Sequence, residues 1–250
     1  MSAADLRLAG GLILLITLAC TALTVAGVMQ RRAVVTASLR AAVQLAIVAA
    51  ALRGVFAAPL AVIGVVALMF LVATWTAGRR IKSHQSAYRA VVIACAAGSA
   101  TAIGIVVGLP MLQRDLRTLV AVSGIVIGGS MTAATLTGRR LADSLQRRRE
   151  EVEGWLAIGA TPREAVRDLA RASVFDALVP ALDQTRTVGI VTLPGAFVGA
   201  LIGGAGAIGA ARFQLAVLVA LLCAEAITAV VLIWLIGAPE TLPAAEGVVG

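Results

Sequence analysis

Charged and aromatic residues are scarce in this sequence. Only 14% of its 250 residues are charged and 4% are aromatic, whereas roughly a quarter of the residues in a soluble globular domain are charged. Apolar residues make up 60% of the chain, and the mean hydropathy is +0.98. The net charge of +8 is not arranged as a basic stripe with interleaved aromatic residues, so no nucleic-acid partner is indicated. The composition is that of an integral membrane protein.

Patterns of metal-binding and catalytic residues are also missing. Cys20, Cys95 and Cys223 lie far apart in apolar runs without CxxC spacing, which indicates neither a zinc site nor a disulfide framework. The only lysine, Lys82, lacks the preceding glycines of a phosphate-binding loop, so any ATP would be hydrolysed by another chain. The only histidine, His84, is predicted in a loop, which argues against an intramembrane enzyme with a Ser-His pair. We expect no cofactor in this chain.

Seven apolar runs are long enough to cross a membrane, which takes about twenty residues of helix. Because lipid cannot satisfy backbone N–H and C=O groups, such runs must be helical. We therefore predict an all-α membrane protein, with residues 1–250 forming a single permease domain. The runs lie near residues 8–28, 34–52, 57–77, 88–108, 117–137, 177–202 and 213–236.

The distribution of basic residues predicts the orientation, because cytoplasmic segments carry the excess of Lys and Arg. If the N-terminus is outside, thirteen basic residues fall in cytoplasmic segments and four, Arg7, Arg53, Arg114 and Arg212, fall outside. Seven spans then place the C-terminus in the cytoplasm. We predict a multi-pass protein of the plasma (inner) membrane. The thirteen are Arg31, Arg32, Arg79, Arg80, Lys82, Arg139, Arg140, Arg147, Arg148, Arg149, Arg163, Arg167 and Arg171.

A polar segment, residues 138–176, separates the fifth and sixth spans, and we call it the insert. Its pattern predicts a helix, a sharp turn and a second helix. Gly159 ends the first helix as a C′ glycine does. Thr161, Pro162 and Glu164 then form the start of a new helix, with a capping box and a proline at the first helical position. The first helix carries an apolar stripe of Leu141, Leu145, Val152 and Trp155 or Leu156.

Two interpretations of the insert remain open at this point. Its many arginines suit a hairpin that lies on anionic lipid headgroups. Alternatively, two helices held at a fixed angle transmit movement from a cytosolic partner to the sixth span.

The insert also resembles a known family. Glu153, followed six residues later by Gly159 and then Ala160, resembles the E-x5-G-A core of the loop by which ABC importer permeases dock onto their ATPases. The longer runs "REEVEGWLAIGATPREA" and "LVPALDQTRTVGIVTLPGAFVG" look like those of the FetB-type iron export permeases. That family also includes plant aluminium-tolerance permeases.

The resemblance implies a function and a set of partners. The chain would be the membrane subunit of an ABC transporter that exports iron or another metal ion, and it would work as a homodimer. A separate cytosolic ATPase would bind ATP and Mg²⁺ and dock on the insert. The docking residues implied are Glu151, Glu153, Gly159, Ala160, Thr161, Pro162 and Glu164.

Ionisable residues within predicted spans are candidates for the translocation pathway, because they are costly in lipid. Glu225 lies near the middle of the seventh span; a transport role, a structural pair with an arginine and a protonated side chain are all open. Arg40 and Gln44 share a face of the second span, where Arg40 can also extend to the headgroups. Asp183 and Arg186 can pair at i and i+3.

Prolines and glycines predict the shape of the sixth span. Pro180 and Pro194 bracket the Asp183–Arg186 pair and predict kinks. Gly195, Gly199 and Gly203 recur at i, i+4, a spacing that allows close helix packing within one chain or between two copies.

Two other functions compete with an ABC permease. A secondary transporter driven by protons through Glu225 would work without any ATPase. An intramembrane enzyme lacks an HExxH motif or a carboxylate dyad in this sequence.

Overall fold

The computed structural model describes residues 3–55, 59–81, 85–109, 111–113 and 115–238. Lys82 and His84 lie outside these ranges. Throughout the described ranges the protein is α-helical, with ten helices and no strand. The helices are α1 (Ala3–Val25), α2 (Arg31–Val55), α3 (Pro59–Arg80), α4 (Gln85–Gly108), α5 (Leu116–Arg147), α6 (Arg149–Ala157), α7 (Pro162–Ala165), α8 (Arg167–Thr187), α9 (Gly195–Ile202) and α10 (Gly206–Ile236).

Six of the helices in the described ranges are long and apolar enough to cross a membrane. They are α1, α2, α3, α4, α5 and α10, and they correspond to the predicted runs other than 177–202. The prediction of a multi-pass helical membrane protein is confirmed.

The run at 177–202 is not one helix, and here the structure differs from the prediction. Helix α8 ends at Thr187 and α9 begins at Gly195. Between them Gly189 has φ +81°, and its N–H donates to the Thr192 carbonyl at 2.8 Å. Pro194 precedes α9 in an extended conformation. Helix α8 continues through Pro180, so this proline does not end the helix.

The chain forms two compact units, Met1–Pro59 and Leu60–Gly250. In the first, α1 and α2 pack against each other, and the Cys20 thiol lies 3.8 Å from the Arg31 carbonyl oxygen. Most side chains of both helices are exposed, as suits helices that face lipid.

The centre of the second unit is a bundle of α4, α5 and α10. Small residues allow these helices to approach closely: a Cβ atom on Gly98 of α4 would collide with the Ala224 carbonyl oxygen and the Thr228 side chain of α10. Gly138 of α5 packs similarly against Ile81, at the end of α3. Such close contacts between backbones are typical of helix packing in membranes.

Helix α5 is longer than a bilayer requires. Its 32 residues span about 48 Å at 1.5 Å per residue, against about 30 Å of hydrocarbon. Its last turns, which contain Arg139, Arg140 and Arg147, therefore project from the apolar part of the bundle. They lead directly into α6 and hold the insert at one end of the second unit.

Candidate functional site

The insert contains the end of α5, all of α6 and α7, and the start of α8, packed over a small apolar core. The predicted first helix is therefore divided at Arg148 and the predicted second helix at Val166. Helix α5 ends at Arg148, which is also the N-cap of α6, and α7 passes through Val166 into α8. The predicted apolar stripe is partly confirmed: Leu141, Leu145 and Val152 are buried. They pack with residues of α7 and α8 and with Ile233 and Ile236 of α10. The insert is therefore seated on the bundle rather than detached from it.

The turn after α6 is a Schellman motif. Gly159 has φ +94°, the left-handed conformation that favours glycine. The N–H of Ala160 donates to the Trp155 carbonyl at 3.1 Å, and the N–H of Gly159 donates to the Leu156 carbonyl at 3.0 Å. These two bonds define the motif and satisfy carbonyls that the helix end leaves open. The predicted C′ role of Gly159 is confirmed.

The start of α7 has the predicted capping box. Thr161 accepts a hydrogen bond from the Glu164 N–H at 3.3 Å, and its own N–H donates to the Glu164 carboxylate at 2.9 Å. Pro162 occupies the first turn of the helix. The hydrogen bonds from Thr161 hold the pKa of Glu164 below its usual range, so this carboxylate is ionised at neutral pH. The backbone reversal between α6 and α8 is thereby fixed at both ends.

The tip of the insert presents apolar side chains to solvent. Ile158 is 76% exposed and Trp155 is 50% exposed, so Trp155 does not belong to the buried part of the stripe. Leu156 is also exposed. Beside them lies a groove of about 480 Å³ between α6 and the start of α8, lined by Trp155, Ile158, Gly159, Glu164 and Arg167 among others. Exposed apolar groups beside a charged groove are typical of a protein-binding surface.

The acidic residues predicted for docking are held by neighbouring arginines. Glu151 pairs with Arg148 at 2.6 Å and Glu153 pairs with Arg149 at 2.7 Å. Both pairs are substantially exposed, so they contribute little to stability. They order the polar face of α6 around the exposed tip.

A contact that sequence reasoning missed joins the insert to α10. The Arg163 guanidinium donates to the Trp234 carbonyl at 2.9 Å and lies 5.7 Å from the centroid of the Trp234 ring. The sequence gives no signal for this pair, because its members are 71 residues apart. The insert therefore contacts the last turn of α10 as well as α5 and α8.

The other predicted pathway residues lie in three places. Asp183 and Arg186 form the predicted pair, at 3.4 Å, on the exposed surface of α8. Arg40 and Gln44 are exposed one turn apart on α2 in the first unit. Glu225 is buried on α10.

Glu225 lies in a polar layer within the α4–α5–α10 bundle. A Cβ atom on Gly129 of α5 would lie 2.8 Å from Glu225 Oε1, so glycine leaves space there for the carboxyl group. One turn along α10, the Thr228 hydroxyl is buried without a hydrogen-bond partner in the described protein. On the facing helices, the Ser99 hydroxyl donates to the Ser130 hydroxyl at 3.0 Å. Within the ranges that the structure describes, no three His, Cys, Asp or Glu side chains converge as a metal site.

Comparison with known proteins gives a consistent set of relatives. Residues 5–238 match the model of an uncharacterised protein family, UPF0014. The UPF0014 membrane protein YjkA of Bacillus subtilis is 32% identical over 200 residues, which cover 79% of this chain and 80% of YjkA. The UPF0014 membrane protein STAR2 of Oryza sativa subsp. japonica is 31% identical over 196 residues, 78% of this chain and 69% of STAR2.

A third relative carries a more specific name. The "Probable iron export permease protein FetB" of Escherichia coli is 27% identical over 198 residues, which cover 78% of this chain and 76% of FetB. No solved structure matches the chain.

Proposed function

The chain belongs to the UPF0014 family of membrane proteins, and on that basis we propose that it is the membrane subunit of an ABC transporter that exports iron or another metal ion. A separate cytosolic ATPase, carrying ATP and Mg²⁺, docks on residues 150–165 and drives transport. The permease works as a homodimer. In the membrane α8 and α9 together make the sixth of seven crossings, with the N-terminus outside and the C-terminus in the cytoplasm.

The single observation that carries the proposal is the construction of the insert. A Schellman motif and a capping box fix its turn, while its buried side rests on α5, α8 and α10. Its exposed side carries Trp155 and Ile158. A hairpin with no partner other than water would have no need for a rigid turn that presents apolar groups.

The cargo is proposed from a relative. FetB carries the name "Probable iron export permease protein", and the matched region extends over most of both chains. The name of that relative supports a metal-ion cargo and the outward direction of transport. It adds to the resemblance of the Glu153–Pro162 segment to ATPase-docking loops.

The test is capture of the ATPase. The protein is co-expressed with the ABC ATPases of its own cell, purified in detergent, and the captured subunit is identified and assayed for ATP hydrolysis. We expect Ile158→Asp to lower the amount captured at least about tenfold, because it places a charge at the centre of an apolar contact. Glu153→Arg should weaken capture as well, since it also breaks the pair with Arg149.

The matched control is Met29→Asp. Met29 is an exposed apolar residue in the turn between α1 and α2, on the side predicted to be cytoplasmic, and its replacement should leave capture unchanged. Equal capture by wild type and both insert variants would refute the docking role. Absence of any ATPase, with binding of the insert to anionic vesicles instead, would favour the membrane-surface hairpin.

A proton-driven secondary transporter is the second candidate, and the buried position of Glu225 beside Gly129 is the observation that favours it. Such a transporter would move its cargo in proteoliposomes that contain no ATPase, and Glu225→Gln would abolish that movement. An ABC permease shows no transport under the same conditions.

A further inference from the structure

A second cavity lies at the end of the bundle opposite the insert. It has a volume of about 880 Å³, is open on one side, and is bordered by residues 111–113, the first turns of α5, α9 and the first turns of α10. We call it the distal vestibule. Its lining includes Arg117, Thr118, Ala121, Gly199, Ala200 and Arg212.

Two guanidinium groups give the vestibule a positive rim. Arg117 lies beside the Asp115 carboxylate, whose pKa is lowered chiefly by hydrogen bonds from Thr118. That carboxylate caps α5 by accepting from the Thr118 N–H at 2.6 Å. Arg212 of α10 has no acidic partner at salt-bridge distance among the described residues. Among the described lining residues, two arginines and one carboxylate leave a net positive charge, which repels a metal cation and attracts an anion.

The rest of the lining is mostly apolar. It includes Ala121 and Ile125 of α5, Ala196 and Gly199 of α9, and Phe213 of α10. A Cβ atom on Gly199 would meet no other residue within 4 Å. We call this apolar part of the vestibule the slot, and its surface suits a hydrocarbon chain.

The position of the vestibule matches the boundary of a bilayer. Helices α5 and α10 both begin at this end, and α5 has no charged residue between Arg117 and Arg139. A positive rim at the ends of membrane-spanning helices, above an apolar slot between them, complements a lipid with a negative headgroup and a hydrocarbon chain. Guanidinium also suits phosphate, because its planar set of N–H groups can bond two phosphate oxygens at once.

We propose that the distal vestibule binds an anionic phospholipid, with its phosphodiester between Arg117 and Arg212 and an acyl chain along the α5–α9 wall. This site is separate from the insert and does not depend on the proposed transport function. A free phosphate or a soluble organic anion shares the charge of the headgroup but has no chain for the slot.

Native mass spectrometry of the purified full chain tests the proposal. The protein is titrated with phosphatidylglycerol and, separately, with phosphatidylcholine of the same acyl chains. We expect preferential retention of phosphatidylglycerol. Replacing both arginines, Arg117→Gln with Arg212→Gln, should raise the dissociation constant for phosphatidylglycerol about thirtyfold, since each arginine near a headgroup contributes about 1 kcal/mol.

The control is a double variant that also removes two positive charges, but at the other end of the molecule. Arg147→Gln with Arg171→Gln lies at the insert end of the molecule and should leave retention of phosphatidylglycerol unchanged. Equal loss in both double variants, or equal retention of the two lipids by wild type, would overturn the proposal. So would displacement of bound phosphatidylglycerol by millimolar inorganic phosphate, which would identify a site for free anions. The last two measurements use the unmodified protein, so poor folding of a variant cannot hide the result.

Discussion

At the scale of single residues, Gly159 is the position where the turn of the insert depends on a backbone conformation that favours glycine. Its φ of +94° suits glycine, whereas other residues pay about 1 kcal/mol or more to adopt it. Gly154 is a natural comparison, because it lies five residues earlier within helix α6. A Cβ atom would meet no other residue at either position, so only the backbone conformation distinguishes them.

We expect opposite effects from the same substitution at these two glycines. Gly159→Ala should open the turn more often and accelerate amide exchange in residues 149–166 roughly fivefold, which corresponds to about 1 kcal/mol. Gly154→Ala should slow that exchange, because alanine favours a helix interior by up to about 1 kcal/mol. Hydrogen–deuterium exchange with mass spectrometry measures both. Exchange that changes in the same direction in both variants would contradict the left-handed turn.

At the scale of helices, the contact between α4 and α10 is set by one glycine. A Cβ atom on residue 98 would collide with the Ala224 carbonyl oxygen and the Thr228 side chain of α10. No side chain therefore fits at this position. Elsewhere on α4, Gly104 faces open space. In the sequence Gly104 and Gly108 are also spaced at i, i+4, whereas Gly98 has no glycine four residues away. Glycine spacing alone therefore does not identify the glycine that packs.

Gly98→Ala should therefore separate the two helices, at a cost of about 1–3 kcal/mol for overpacking. The apparent Tm in detergent, followed by tryptophan fluorescence, should fall by about 2–4 °C for each kcal/mol. Gly104→Ala serves as the control and should not lower the Tm, because a Cβ atom there meets no other residue and alanine favours a helix interior. Similar Tm values for the two variants would mean that α4 and α10 are not in close contact at residue 98.

Local signals in the sequence were sufficient for the turn of the insert, but not for its helix boundaries or for the sixth apolar run. Gly159, Thr161 and Glu164 act within a few residues of one another, so their spacing predicts the turn and the cap. The break at 188–194 was missed because hydropathy counts Ile190, Val191 and Leu193 as continuous with the helix. Their contribution to the run conceals the left-handed Gly189 and the extended Pro194 that interrupt it.

At the scale of the whole molecule, the long-range contacts could not be predicted. The Arg163–Trp234 contact and the rim of the distal vestibule each combine residues that are far apart in sequence. One sequence offers no measure of which distant residues meet. By contrast, the apolar runs depend only on residues close together in sequence, and the multi-pass helical architecture followed from them.

The predicted orientation can be tested on the whole molecule. In a background with Cys20, Cys95 and Cys223 replaced by serine, single cysteines are placed at exposed positions Met29, Met111 and Ile158. In sealed right-side-out vesicles, an impermeant maleimide should label Met111→Cys only. In inside-out vesicles it should label Met29→Cys and Ile158→Cys. The reverse pattern would place the insert outside and exclude a cytosolic partner.

The contact between Arg163 and Trp234 has a mechanical consequence. Trp234 and Arg212 are separated by 22 positions of one unbroken helix, which is about 33 Å, and a tilt of about 5° at one end therefore displaces the other by about 3 Å. A push on the insert would thus change the width of the vestibule rim by roughly the diameter of a water molecule. Conversely, a ligand bound at the rim would oppose this tilt of α10. Movements at the two ends of the helix are therefore coupled.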